Sequence, residues 1–226
     1  MYSNKKAGQI SGVLFLFAFI SGVVIFQVLQ GPVLFSDDFL TITSEHSNQI
    51  IGSAILGMFS GLASIVIATL LLPIFKTHSY YLAFLYLAFC ILNFIALMLD
   101  NVSVVSMLEL SNDYVANGNS DALKAMGNLV YEKHHWTHYM YLLISCFPVF
   151  ILYYGFYVTK IVPRAISIFG IFAVLLMFIQ VLFSIFGKSI SMNMMLPMGL
   201  IQLALPIWLM IKGFSSRIKE KEGERL

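Results

Sequence analysis

Six long apolar runs, at about 8–30, 49–75, 80–108, 136–159, 164–187 and 192–212, alternate with polar connectors along the 226-residue chain. At 1.5 Å per residue, each run is long enough as a helix to cross the roughly 30 Å of hydrocarbon in a bilayer. None alternates apolar and polar residues with a period of two, so the pattern predicts helices and not the strands of a membrane barrel. The expected fold class is all-α: a polytopic membrane protein built as a six-transmembrane-helix bundle.

The connectors carry an orientation signal. The chain has 13 Lys and Arg residues. Lys5, Lys6, Lys76, Lys160, Arg164, Lys212, Arg217, Lys219, Lys221 and Arg225 fall on one side of the spans. The other side holds only Lys124, Lys133 and Lys188, with Asp37, Asp38, Glu45, Glu109, Asp113, Asp121 and Glu132. The positive-inside rule then predicts both termini in the cytoplasm, N-in and C-in. The outer connectors, 31–48 and 109–135, are longer and carry Asp, Glu, His, Asn and Ser, so the outer face is the place to look for chemistry. Asn117-Gly118-Asn119 reads as a turn. Ser120 after it is positioned to cap a short interfacial helix through Ala122, Leu123, Met126 and Val130 that leads into span four.

Composition narrows the class. Hydrophobic residues make up 59% and charged residues 11%, against about a quarter charged in a soluble domain. The mean hydropathy of +0.88 agrees. Residues 1–214 are expected as one six-span domain and 215–226 as a charged cytoplasmic tail. The first apolar run is too long for a signal-peptide core and lacks an A-x-A-like cleavage site, so it reads as an uncleaved span. A net charge of +2 with dispersed Lys and Arg excludes a nucleic-acid footprint. Cys90 and Cys146 lie within apolar runs and read as small buried hydrophobes.

Span-level details refine the packing. Gly52, Ser53, Gly57, Ser60, Gly61 and Ser64 give span two several small-xxx-small pairs suited to close helix contact. Pro197, Gly199 and Pro206 predict a bent or loosened span six. Asn93, Asp100 and Met107 repeat every seven residues, so one stripe of span three should face protein.

Polar groups within a span are costly and require a reason. Counted up from the opposite ends of their spans, Asp100, His138, Ser184, Met192 and Gln27 all come out at roughly 30 Å, one layer near the outer boundary. His134 and His138 are spaced i, i+4 and His135 and His138 i, i+3, so either pair shares a helical face. With Asp100 from the neighbouring helix, His135 and His138 would supply a three-ligand metal set with an open position, His134 being the alternative. A divalent metal such as zinc is the cofactor that this set implies, whereas Met192, Met194 and Met195 would favour Cu(I). The plainer alternative has His134 and His135 solvated and His138 hydrogen-bonded to Asp100. A bis-histidine haem is disfavoured because His46 and His78 lie in connectors on opposite sides. Gln180 and Gln202 read as hydrogen bonds between helices. No nucleophile triad, phosphate loop or CxxC pair is present.

Three stretches resemble one family. Asn4-Lys5-Lys6-Ala7 followed by Gly12-Val13-Leu14-Phe15-Leu16-Phe17-Ala18-Phe19 is similar to the opening of an uncharacterised family of bacterial six-span integral membrane proteins, a domain of unknown function. Val162-Pro163-Arg164 before Ile168-Phe169-Gly170 resembles its entry to span five, and Ile207-Trp208-Leu209-Met210-Ile211-Lys212-Gly213 its closing segment. The resemblance implies a histidine where the interfacial helix joins span four, which His135 fits best. His138 stands where a small residue is usual and Gln202 where the family is often acidic.

Together these readings describe a bacterial cytoplasmic (inner) membrane protein with a polar pocket at its outer face around Asp100, His135 and His138. The expected partners are the lipid bilayer, a small-molecule or lipid ligand or a divalent metal, and a second copy or a partner membrane protein. An enzyme of this design would be a membrane-embedded metal-dependent hydrolase. The alternative is a non-catalytic partner subunit or small transporter using the bundle as a scaffold.

Overall fold

The computed structural model describes residues 4–118, 120–188 and 191–215. The described residues are helical with short connections, and six helices are long and apolar enough to cross a membrane. Helix α1 is Asn4–Val24, prolonged by a π-helical segment Ile25–Gln30 and a last α turn Gly31–Leu34. A short α2, Phe39–Glu45, follows, then α3, Ser47–Lys76, and α4, Tyr80–Ala116. Helix α5 is Asp121–Thr159, α6 Arg164–Ile185, and α7 Leu196–Lys212, entered through a 3-10 turn Met192–Met195.

Local chemistry explains several boundaries. Ser79 caps α4, its hydroxyl accepting from the Leu82 amide at 3.4 Å. Lys160 ends α5 in the left-handed conformation (φ 59), leaving a tight link to α6 before Pro163. Ser120 stands at the N-cap of α5 but its hydroxyl makes no cap bond, and Asp121 supplies the favourable charge in the first turn. From Asp121 the helix runs unbroken into span four. Asn119 and the tail beyond Ser215 lie outside the described residues, as does the side chain of Met192.

The six spans pack in chain order, each against the next, and α7 returns to α1, giving a closed six-helix ring. Small residues permit the closure. A Cβ added to Gly12 would meet the Met210 amide nitrogen at 2.8 Å, so α1 and α7 touch backbone to backbone. The outer surface is apolar: Ile20, Leu99, Phe172 and Leu200 are about half exposed or more, as a bilayer-facing surface requires.

Two apolar clusters fill the ring. The larger occupies the end that carries the termini and includes Leu71, Phe75, Tyr86, Phe156, Val174, Leu205 and Leu209. The smaller lies toward the other end, where Val33, Leu34, Ile50, Val104, Met107 and Leu108 are covered by Phe39 and Ile42 of α2. Helix α4, at 37 residues, spans about 55 Å. It is therefore longer than the roughly 30 Å of a bilayer core, and the start of α5 lies beside its C-terminal end. The site lies between the two clusters.

Candidate functional site

The site begins with Asp100. Its carboxylate sits on the inner stripe of α4 with Met107 one heptad on, and is only 5% exposed. A carboxylate so buried must be paired. Its partners come from α5: His134 Nδ1 lies 3.2 Å from Oδ1, and His138 Nδ1 lies 3.0 Å from Oδ2. Because an ionised carboxylate only accepts, Nδ1 is the protonated nitrogen of His138, and the contact with Oδ1 favours the same tautomer in His134.

Two hydroxyls complete the cluster. Thr137 Oγ1 lies 3.1 Å from Asp100 Oδ1 and 2.9 Å from the His134 carbonyl. Ser103, one turn beyond Asp100, donates to the Asp100 carbonyl at 2.7 Å and lies within hydrogen-bond reach of His134 Nδ1 and Thr137 Oγ1. His134, Thr137, His138 and Tyr141 follow i, i+3, i+4, i+7 spacing, so one face of α5 turns His134, Thr137 and His138 toward Asp100 and Ser103 of α4.

The imidazoles use only one nitrogen here. Nε2 of His134 and Nε2 of His138 have no hydrogen-bond partner among the described residues. Both histidines line a cavity of about 590 Å³ at the heart of the ring. In their neutral forms, with Nδ1–H held by Asp100, each Nε2 presents a lone pair. The same second-sphere logic orients metal-bound histidines and catalytic bases.

The α1 wall of the cavity has its own construction. Pro32 lacks an amide hydrogen, so the Val28 carbonyl, four residues earlier, loses its usual donor. The Gln49 side chain replaces it, donating to the Val28 and Leu29 carbonyls at 3.1 and 2.8 Å. Gly31 closes the π turn by donating its amide to the Phe26 carbonyl, against which any Cβ would collide. The wider turn brings Gln30 inward, where it is buried and donates to Ser53 Oγ at 2.9 Å, while Gln27 stays exposed. It also lays Phe26 over His138, with ring centroids 6.4 Å apart and planes 15° from parallel.

Of the residues singled out in the sequence, Asp100, His134 and His138 are brought together. His135 is not within that hydrogen-bonded set: its ring is exposed, 4.7 Å from Tyr139 and 6.2 Å from Trp136 by centroid, although it reaches the cavity rim. Ser184 and Met195 line the cavity, and Met194 does not. Gln180 is buried on its wall, whereas Gln202 is elsewhere. Among the described residues no group of three or more His, Cys, Asp or Glu side chains is placed to hold a metal ion. Asn101, a polar residue of span three, lines the cavity as well, whereas Thr137, Ser103 and Gln30 are not among the residues singled out in the sequence. Thr137 and Ser103 could be found from the sequence, since each sits one turn from a residue already singled out.

A family model matches residues 10–213, the six-span bundle almost entire. The chain belongs to this family, DUF4386, a domain of unknown function. No curated protein and no solved structure matches it. This DUF4386 protein is a multi-pass integral membrane protein, and its family supplies no reaction, so its activity has to be argued from the site.

Proposed function

We propose that this DUF4386 protein is a ligand-binding membrane protein whose cavity holds a small molecule by its polar group on Asp100, His134 and His138. The observation that carries this reading is a buried carboxylate whose two oxygens orient two imidazoles at the wall of a cavity about 590 Å³ in volume. Pockets for small ligands have this size and this make-up, mostly apolar with a few converging polar groups. A structural ion pair alone has no need of an adjoining void. Because the larger apolar cluster closes the ring on the side of the termini, the arrangement favours a chamber over a continuous pore. Basic-residue placement supports a chamber opening outward in a bacterial inner membrane, with both termini cytoplasmic.

Native mass spectrometry of the protein released from membranes tests the reading. A discrete small-molecule adduct on the wild type, lost in Asp100→Asn and in His134→Ala/His138→Ala, is expected. A bare chain that no added small molecule occupies would refute it. Cysteine-labelling of the connectors at 77–79 and 117–118 tests the orientation.

One observation favours a second reading, a metal-dependent hydrolase. Histidines whose Nδ1–H is held by a carboxylate are arranged as zinc ligands are, with Nε2 toward the metal. His134 and His138 would then be ligands, and Asp100 would orient them; the third ligand would have to come from water or substrate. Elemental analysis decides: stoichiometric metal lost in His138→Ala supports it, and a metal-free folded protein removes it.

A further inference from the structure

We infer that the cavity selects a cationic amphiphile, an amine head on a short apolar body. The inference rests on the ligand-binding reading above and adds the class of ligand. It stands on three independent features of the cavity wall.

The first is charge. Among the described residues that line the cavity Asp100 is the one carboxylate, and neither Lys nor Arg is present. An anionic head, whether carboxylate or phosphate, would meet a buried negative charge with no counter-ion. A cation would meet its complement where the local dielectric is low and the attraction correspondingly strong.

The second is hydrogen-bond polarity. His138 Nδ1–H donates to Asp100 Oδ2 and His134 Nδ1 stands 3.2 Å from Oδ1, and neither Nε2 has a hydrogen-bond partner among the described residues, so with the Nδ1 protons directed at Asp100 both Nε2 atoms are acceptors. A ligand complementary to two acceptors must bring donors. An ammonium brings three N–H donors and no acceptor, while a carboxylate brings none. A hydroxyl has a single donor and cannot satisfy both nitrogens.

The third is the aromatic lining. Phe26, Phe35, Tyr131, Tyr139 and Tyr141 all contribute rings to this one cavity. Aromatic faces attract a cation through the ring quadrupole and tolerate an apolar chain equally well. Leu97, Leu142 and Val181 extend the apolar part. A way in from the side of the bundle is offered at Gly22, an exposed residue of the α1 wall where an added Cβ would meet nothing within 4 Å.

Octylamine, octanol and octanoate are the probes, with thermal unfolding of the full-length protein in nanodiscs of neutral lipid as the readout. The wild type should be stabilised by octylamine in a saturable way, by octanol about tenfold more weakly in apparent affinity, and not by octanoate. Asp100→Asn should weaken octylamine by about tenfold or more. A second variant, Gly22→Leu/Ser184→Phe, adds bulk at two lining positions that take no part in a hydrogen bond of the Asp100 cluster, and should abolish the effect. Where Asp100→Asn does not fold, the probe series and the filled variant still decide. Equal or stronger saturable stabilisation by octanol or octanoate, lost in the filled variant, would overturn the cationic class while leaving a ligand site. Identical responses to all three probes in the wild type and the filled variant would overturn both.

Discussion

His138 Nδ1 lies 3.0 Å from Asp100 Oδ2, and the other oxygen of the same carboxylate is held by His134 at 3.2 Å. One buried acid on α4 thus fixes the rotation of two imidazoles on α5. The pair of helices and the pair of rings are positioned by the same contact.

Removing the acid should therefore cost stability and act through both histidines. Asp100→Ala leaves the buried His134 and the half-buried His138 without the carboxylate that faces both Nδ1 atoms, a penalty of about 1–3 kcal/mol. His138→Ala should cost less, because Asp100 keeps His134 and Thr137. In a cycle with Asp100→Asn and His134→Gln, unfolding monitored by intrinsic fluorescence in detergent should give a coupling of about 0.5–3 kcal/mol, as for residues in one network. Strict additivity would mean that the contact carries no energy.

The adjacent histidines should behave differently. His134 is 8% exposed and bonded to Asp100, whereas the His135 ring is exposed. His135→Ala should change stability by no more than about 0.5 kcal/mol, the range of surface substitutions. His134→Ala should be clearly destabilising in the same unfolding assay. A reversal of that order would contradict the placement of the two rings.

The π segment makes a separate prediction. Gln49→Ala strips the substitute donor from the Val28 and Leu29 carbonyls and should raise hydrogen exchange across residues 25–35. Pro32→Ala in that background restores an amide hydrogen to the chain and should recover part of the protection. If Gln49→Ala leaves exchange in this segment unchanged, the side chain is not what holds the turn.

Close packing can be probed on the opposite side. A Cβ on Gly155 would meet the Phe75 ring at 2.5 Å, and one on Gly170 would run into Tyr153. Gly155→Ala and Gly170→Ala should each destabilise by about 1–3 kcal/mol through overpacking. Gly22→Ala should leave the melting temperature within error, since its added methyl meets open space.

The sequence and structure part company at instructive places. Six spans were legible because hydropathy over twenty residues reports directly on the bilayer. Helix ends were not, since hydropathy marks where lipid stops and not where hydrogen bonding stops. The apolar run of span three stops near 108 and that of span four starts near 136, yet α4 continues to Ala116 and α5 starts at Asp121. The inner stripe of Asp100 and Met107 was visible in the heptad spacing, because a costly buried charge and a fully buried methionine must share the protein-facing side. Which of His134 and His135 accompanies His138 was not visible. Both spacings are compatible with one face, and the choice depends on how α5 is rotated against α4. Gln30 was missed for a similar reason. Its inward turn depends on Gln49 from another helix, so a count at α-helical rise pointed to Gln27 instead.

Asp100 faces Nδ1 of both imidazoles, both rings line the cavity, and neither Nε2 has a hydrogen-bond partner among the described residues. Nitrogen-15 NMR of histidine-labelled protein in nanodiscs reads the tautomer of each ring directly, with His134→Gln and His138→Gln used for assignment. Both residues are predicted to show a protonated Nδ1 and an unprotonated Nε2 in the empty protein, and the Nε2 signals should move when octylamine is added. Protons on Nε2 with bare Nδ1 atoms, or Nε2 signals indifferent to every added probe, would contradict the account.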